Sequence, residues 1–131
     1  MAPLSSACPC CSGRLFSACC EPYLAKAATP PTAQALMRSR YTAYALADEA
    51  YLKSTWYPDT LATNFNLSQQ AGAKWLGLKI LRHENTDDHH AIVEFVTRYK
   101  IHGKVYRLHE VSSFERVAGY WYYVDGAAPL K

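Results

Sequence analysis

All five cysteines of the 131-residue chain fall within thirteen positions, as Cys8-Pro9-Cys10-Cys11 and, eight residues further on, Cys19-Cys20. Thiols crowded in this way suit metal chemistry. Zinc takes about four ligands at tetrahedral corners, with sulfur about 2.3 Å from the ion. A Cys-x-Cys pair and a second pair can supply them if the chain between turns back, and Ser12-Gly13 has the turn chemistry to do so. Leu15 and Phe16 are the expected anchors that pack such a knuckle on a short helix or on the main domain. Two other chemistries draw on the same residues: disulfides, and a redox-active thiol at Cys11. Met1–Ser6 has neither the basic nor the apolar stretch of a signal peptide. The expected compartment is therefore cytoplasmic, where thiols stay reduced and metal ligation is favoured over disulfides.

A second group with chemical potential is Glu110 with Ser112, in a segment otherwise rich in aromatic and branched residues, together with Arg40 far upstream. Whether these meet depends on the elements that carry them. Thr32 is an N-cap for a helix through about Leu46, and Asp48 caps a second helix to Trp56, stopped by Pro58. Ser68 opens a short third helix through Leu76, ended by Gly77. The period then changes to two-residue alternation, giving strands Leu78–Asn85, His90–Ile101, Lys104–Val117 and Tyr120–Asp125. His102-Gly103 and Ala118-Gly119 are the hairpin turns.

A two-residue turn at His102-Gly103 opposes Ile101 to Lys104, Tyr99 to Tyr106 and Phe95 to Glu110. One face then carries Val93, Phe95, Thr97, Tyr99 and Ile101 with Tyr106, Leu108, Glu110, Ser112 and Phe114, and extension through the next turn adds Trp121, Tyr123 and Asp125. Glu94, Arg98, Lys100, Arg107 and His109 lie on the solvated face. Glu110 is the exception on an apolar surface, and a buried carboxylate needs a cation or a proton. Arg40 shares a helix side with Leu36 and Tyr44 and is the expected partner. One reading is an Arg40–Glu110 ion pair that holds helix to sheet. The other is a pocket in which both meet a polar ligand, with Tyr41, Trp56, Ser112, Trp121 and Tyr123 around them. His89-His90 and His109 read as surface histidines.

The run Cys8-Pro9-Cys10, Ser12-Gly13, Phe16, Cys19-Cys20 resembles the SEC-C motif, a zinc knuckle first recognised in the SecA translocation ATPase. That resemblance implies one structural zinc ion on Cys8, Cys10, Cys19 and Cys20. Cys11 departs from the motif, which has glycine there, and leaves a fifth thiol beside the metal. Leu36-Met37-Arg38-Ser39-Arg40-Tyr41, Leu108-His109-Glu110-x-Ser112-x-Phe114 and Gly119-x-Trp121-Tyr122-Tyr123-Val124-Asp125-Gly126 resemble the YchJ-type family of small bacterial proteins. This resemblance implies an α+β fold: a SEC-C knuckle followed by a nuclear transport factor 2-like (cystatin-like) cone, with helices packed on a curved antiparallel sheet. The expected organisation is a knuckle over 1–24, a linker over 25–31 and the cone over 32–131. A homodimer formed through the sheet is also within what the resemblance implies.

The chain has a formal charge of +3 and is half apolar. That is well short of the basic stripe of a dedicated nucleic-acid binder, and no run approaches the roughly 18 apolar residues of a membrane span. The expected function is a non-enzymatic, zinc-binding interaction module. It would present Arg14, Phe16, Tyr23 and Lys26 to a protein or nucleic-acid partner. The alternative is a small-molecule binder, or an isomerase- or dehydratase-like enzyme, using the conical cavity. There Glu110 would be the acid or base and Arg40 the holder of an anionic group.

Overall fold

The computed structural model describes residues 7–58, 60 and 74–127. A 3-10 turn (Phe16–Ala18) and a short helix α1 (Glu21–Leu24) follow the first cysteines; helices α2 (Ala33–Ala45) and α3 (Glu49–Ser54) come next. Strands β1 (Lys74–Asn85), β2 (His90–Ile101), β3 (Lys104–Val117) and β4 (Tyr120–Ala127) complete the order. The four strands form one antiparallel meander, β1-β2-β3-β4.

Both helix starts are capped as their sequences require. Thr32 accepts from the Ala35 amide at 3.0 Å, and Asp48 accepts from the Tyr51 amide at 3.1 Å. Helix α3 ends at Ser54, short of the expected Trp56, because the chain there changes partner. Tyr123 donates its amide to Thr55 O at 2.8 Å and accepts the Tyr57 amide at 2.7 Å. Residues 55–57 thus clip onto β4 and cover a sheet edge that would otherwise offer unpaired backbone groups. The expected third helix lies mostly outside the described residues, but its last three, Lys74–Leu76, already belong to β1.

The β2–β3 pairing follows the register that the His102-Gly103 turn dictates, with Ile101 opposite Lys104, Tyr99 opposite Tyr106 and Phe95 opposite Glu110. His102 and Gly103 have φ of 50° and 81°, and Ala118 and Gly119 have 53° and 86°. Two successive positive φ values are the signature of the tight turn that matches strand twist. One register expectation fails. Ser113 pairs with Asp125 but Phe114 pairs with Tyr123, so Val124 is an extra residue, a β-bulge. Beyond it the faces exchange: Gly126 stands opposite Ser112 on the inner face and Asp125 turns outward, where it is exposed.

The inner face supplies the core. Val93, Phe95, Phe114 and Trp121 are all at most 5% exposed and pack with Leu36, Met37 and Tyr41 of α2. A second small cluster of Ala43, Tyr51 and Leu52 joins α2 to α3. Helix α2 is therefore covered on several sides, and its residues point into three different environments.

Candidate metal centre and cavity

The first cysteines lie on a chain that folds back on itself. Ala7 bridges Leu15, and the Cys8 amide donates to Arg14 O at 2.9 Å. The turn between them needs two left-handed residues, Cys11 (φ 64°) and Gly13 (φ 87°). The 3-10 turn then delivers Cys19 and Cys20 to the same point. The Sγ atoms of Cys8, Cys10, Cys19 and Cys20 all lie within 4.8 Å of one another, and each residue is buried. Cys10 and Cys19 are 3.6 Å apart at sulfur, and Cys19 and Cys20 are 3.9 Å apart. Four sulfurs about 2.3 Å from a common centre have a tetrahedral edge of about 3.8 Å. All five cysteines are free thiols.

Hydrogen bonds from the Cys20 and Cys8 thiols pull Cys10 well below the ordinary thiol range, and the same contacts push Cys20 and Cys8 up. One thiolate can form unaided, whereas four together need a cation in their midst. Donors are placed for that charge: the Ser12 hydroxyl is 3.1 Å and Arg14 Nη2 is 3.8 Å from Cys19 Sγ. The Thr42 hydroxyl lies 3.7 Å from Cys8 Sγ. An all-sulfur, buried set of four at this spacing fits a soft or borderline divalent ion held tetrahedrally, with no open ligand position.

Helix α2 fixes this centre to the cone. Arg38 Nη1 donates to Cys10 O at 2.8 Å, and Thr42, one turn on, meets Cys8. The four cysteines belong to the same apolar cluster as Leu36 and Phe95. Phe16 anchors the knuckle as expected and is only 7% exposed, so it is not available as a presented aromatic. Leu15, expected as an anchor, is instead 49% exposed, and Arg14 and Lys26 are also exposed. Tyr23 packs against the α2–α3 cluster. Cys11 is exposed, and its Sγ lies 3.8 Å from where a Cβ on Gly77 would stand.

On the other side of α2, between the helix and the inner sheet face, lies a cavity of about 250 Å³. It brings together five residues expected there: Arg40, Tyr41, Glu110, Ser112 and Tyr123. The other two are elsewhere. Trp56 stands behind Arg40, its ring 5.3 Å from the guanidinium carbon and edge-on to Tyr123. Trp121 lines a separate shallow groove with Pro30 and Tyr51. Sequence reasoning did not assign Trp75 to the cavity, because it was placed in a helix. In β1 its ring meets Tyr41, Tyr44 and Tyr99 at 5.3–5.9 Å.

Arg40 and Glu110 share the cavity but do not form the expected ion pair. Arg40 is 3% exposed and donates from Nη1 to Leu52 O (2.8 Å) and Thr55 Oγ1 (2.7 Å). It therefore caps the last turn of α3 while stacking over Tyr123 at 4.5 Å. A fixed helix end outcompetes a carboxylate on the sheet. Burial pushes the Glu110 carboxyl above its ordinary range, with Ser112 as a partial counterweight. The same burial raises Tyr123 to about 12 and raises Tyr44, which feels both Arg40 and Glu110. His109 is on the outer face, bonded to Glu94 at 2.8 Å, and His90 is exposed between Asp87 and Glu115.

With this geometry the chain compares closely with known proteins. The family model described as "YchJ, middle NTF2-like domain" matches residues 32–126. A UPF0225 protein of Chromobacterium violaceum is 52% identical over 125 residues, covering 92% of each chain. Another, from Ralstonia nicotianae, is 46% identical over 132 residues, covering 93% of this chain and 91% of its own. The solution structure of a SEC-C motif containing protein from Rhodopseudomonas palustris superposes with a TM-score of 0.85 at 34% identity, over 94% of this chain and 98% of that one. A crystal structure of a SEC-C motif containing protein from Psychrobacter arcticus gives 0.80 at 26% identity, over 98% of this chain and 86% of that one.

Proposed function

This chain belongs to the YchJ-type family of UPF0225 proteins, and on that premise we propose that it is a non-enzymatic cytoplasmic interaction protein whose knuckle is held by one zinc ion. The observation that carries the reading is the closed set of four buried sulfurs at the spacing of a tetrahedron's edge. A full sulfur shell leaves zinc no position for substrate, so its contribution is structural. Because α2 grips the knuckle through Arg38 and Thr42, the ion stabilises the cone as well as the loop that binds it. The surface so fixed offers the exposed Leu15 and Arg14 of the knuckle, and the exposed Lys26 that follows α1, to a macromolecular partner. Native mass spectrometry of protein purified without added metal tests the first half: one zinc per chain is expected. Leu15→Asp and Lys26→Glu, which leave the thiols alone, test the second by abolishing partner capture at unchanged zinc content. Equal capture by the variants would remove this surface from consideration.

A second reading, small-ligand binding in the cone, is favoured by one observation: Arg40 is a buried cation without a carboxylate in ion-pair contact among the described residues. Binding suits the cavity better than catalysis. The bulge at Val124 turns Asp125 outward and leaves Glu110 as the lone carboxyl among the described residues lining the cavity, while His109 is on the opposite face. General acid–base chemistry would lack its second group.

A further inference from the structure

We infer that the cone receives a small monoanion, a carboxylate on a compact aromatic or apolar body, with its charge directed at Arg40. This rests on the small-ligand reading and adds the chemical class.

Charge decides the class. Arg40 cannot lose its proton, and the described groups it touches are neutral: a backbone carbonyl, the Thr55 and Tyr44 hydroxyls, and the faces of Tyr123 and Trp56. Carbonyls and rings solvate a guanidinium but do not balance its charge, and a buried charge left unbalanced is costly. The carboxyl best placed to balance it, Glu110, lies on the same cavity wall as Ser112 and makes no ion pair among the described residues. Burial moves Glu110 toward its neutral form, in which it can donate a hydrogen bond to an anion, as buried neutral carboxylic acids do in enzyme sites. An incoming carboxylate would therefore find a fixed cation in the cavity, with the Ser112 hydroxyl on the same wall as a donor.

A cation is the competing occupant, because aromatic walls with a carboxylate are the usual cage for an ammonium group. Here the guanidinium shares the space with it, and like charges in a low-dielectric cavity repel strongly. Size sets the body of the ligand. A volume of about 250 Å³ is below the roughly 300–1,000 Å³ of drug-sized sites, and it suits a single ring. The walls that would grip that ring are Tyr41, Trp75, Phe95 and Leu108.

Three probes of one shape separate the possibilities: benzoate, benzamide and benzylamine, titrated calorimetrically into the metal-loaded full chain. Benzoate is expected to bind at least tenfold tighter than benzamide, with benzylamine weakest. Leu108→Trp, which fills the cavity from its half-buried wall, is expected to abolish benzoate binding without lowering the melting temperature much. Glu110→Gln keeps a donor and is expected to retain binding. Preference for benzylamine would overturn the proposal in favour of a cation cage. Equal binding of benzoate and benzamide would overturn the anion class while leaving the cavity reading intact. No binding of any probe at millimolar concentration would overturn both. Benzoate binding that survives Leu108→Trp would place the site elsewhere and overturn the proposal.

Discussion

The Glu110 carboxylate lies against the backbone of Gly126, so closely that a Cβ at 126 would stand 2.7 Å from its Cδ. The bulge at Val124 is what puts a glycine there instead of Asp125. Gly126→Ala must therefore move the carboxylate. A side-chain end can give way, so the expected cost is small, about 0.5–1 kcal/mol. That cost is expected to vanish in a Glu110→Ala background, because nothing is left to displace. A double-mutant cycle by chemical denaturation measures the coupling. Additive single effects would mean that the two residues do not meet.

Stability should also depend on pH through Glu110. Its carboxyl is raised above the ordinary 4.5 by burial, so the folded chain holds this proton more tightly than the unfolded chain. Between the ordinary and the raised value the native state binds more protons, and stability falls as pH rises through that window. Glu110→Gln removes the ionisation. The variant is expected to melt higher than the parent at neutral pH, with the gap closing as pH falls to about 4. Melting curves from pH 4 to 8 check this, and a gap of constant size would refute it.

The sheet was legible in the sequence because its turns are two residues long and its faces differ sharply in polarity. His102-Gly103 alone determines that Phe95 meets Glu110. The bulge was not legible: Val124 sits in an alternating run, and nothing local marks it as the extra residue. Arg40 reads as a residue that faces the sheet, and of the two expectations for it the ion pair with Glu110 is the one the structure does not contain. Its hydrogen bonds go to the end of α3, twelve and fifteen residues away, and helix-end carbonyls carry no sequence signature. The cysteine spacing was strong evidence for four convergent sulfurs, whereas the inward turn of Phe16 and the outward one of Leu15 depend on a 3-10 turn too short to show a period.

Removing the metal should loosen more than the knuckle. Cys8, Cys10, Cys19 and Cys20 share a core with Leu36 and Phe95, so chelation is expected to lower the melting temperature of the whole chain by roughly 10 °C or more. Arg38→Ala is the graded version, because it removes one bond to Cys10 O and leaves every sulfur in place. Transfer of the proposed zinc ion to a colorimetric chelator should then be about tenfold faster than from the parent, equivalent to about 1.4 kcal/mol. An unchanged rate would show that α2 does not hold the centre closed.

Cys11 occupies a backbone position that a side chain resists. Its φ of 64° is left-handed, a conformation that costs a residue with a Cβ about 1 kcal/mol and costs glycine almost nothing. Against that strain the thiol has little to offer: it is exposed, with Pro9 O at 3.6 Å as its hydrogen-bond acceptor. Cys11→Gly is therefore expected to raise stability by about 0.5–1 kcal/mol and to leave metal content unchanged. Cys11→Ala is the needed control, since it deletes the sulfur but keeps the Cβ. Glycine should exceed alanine in melting temperature by a few degrees. If both variants lost stability equally, the thiol itself would be contributing, through Gly77 or through the metal, and the strain argument would fail.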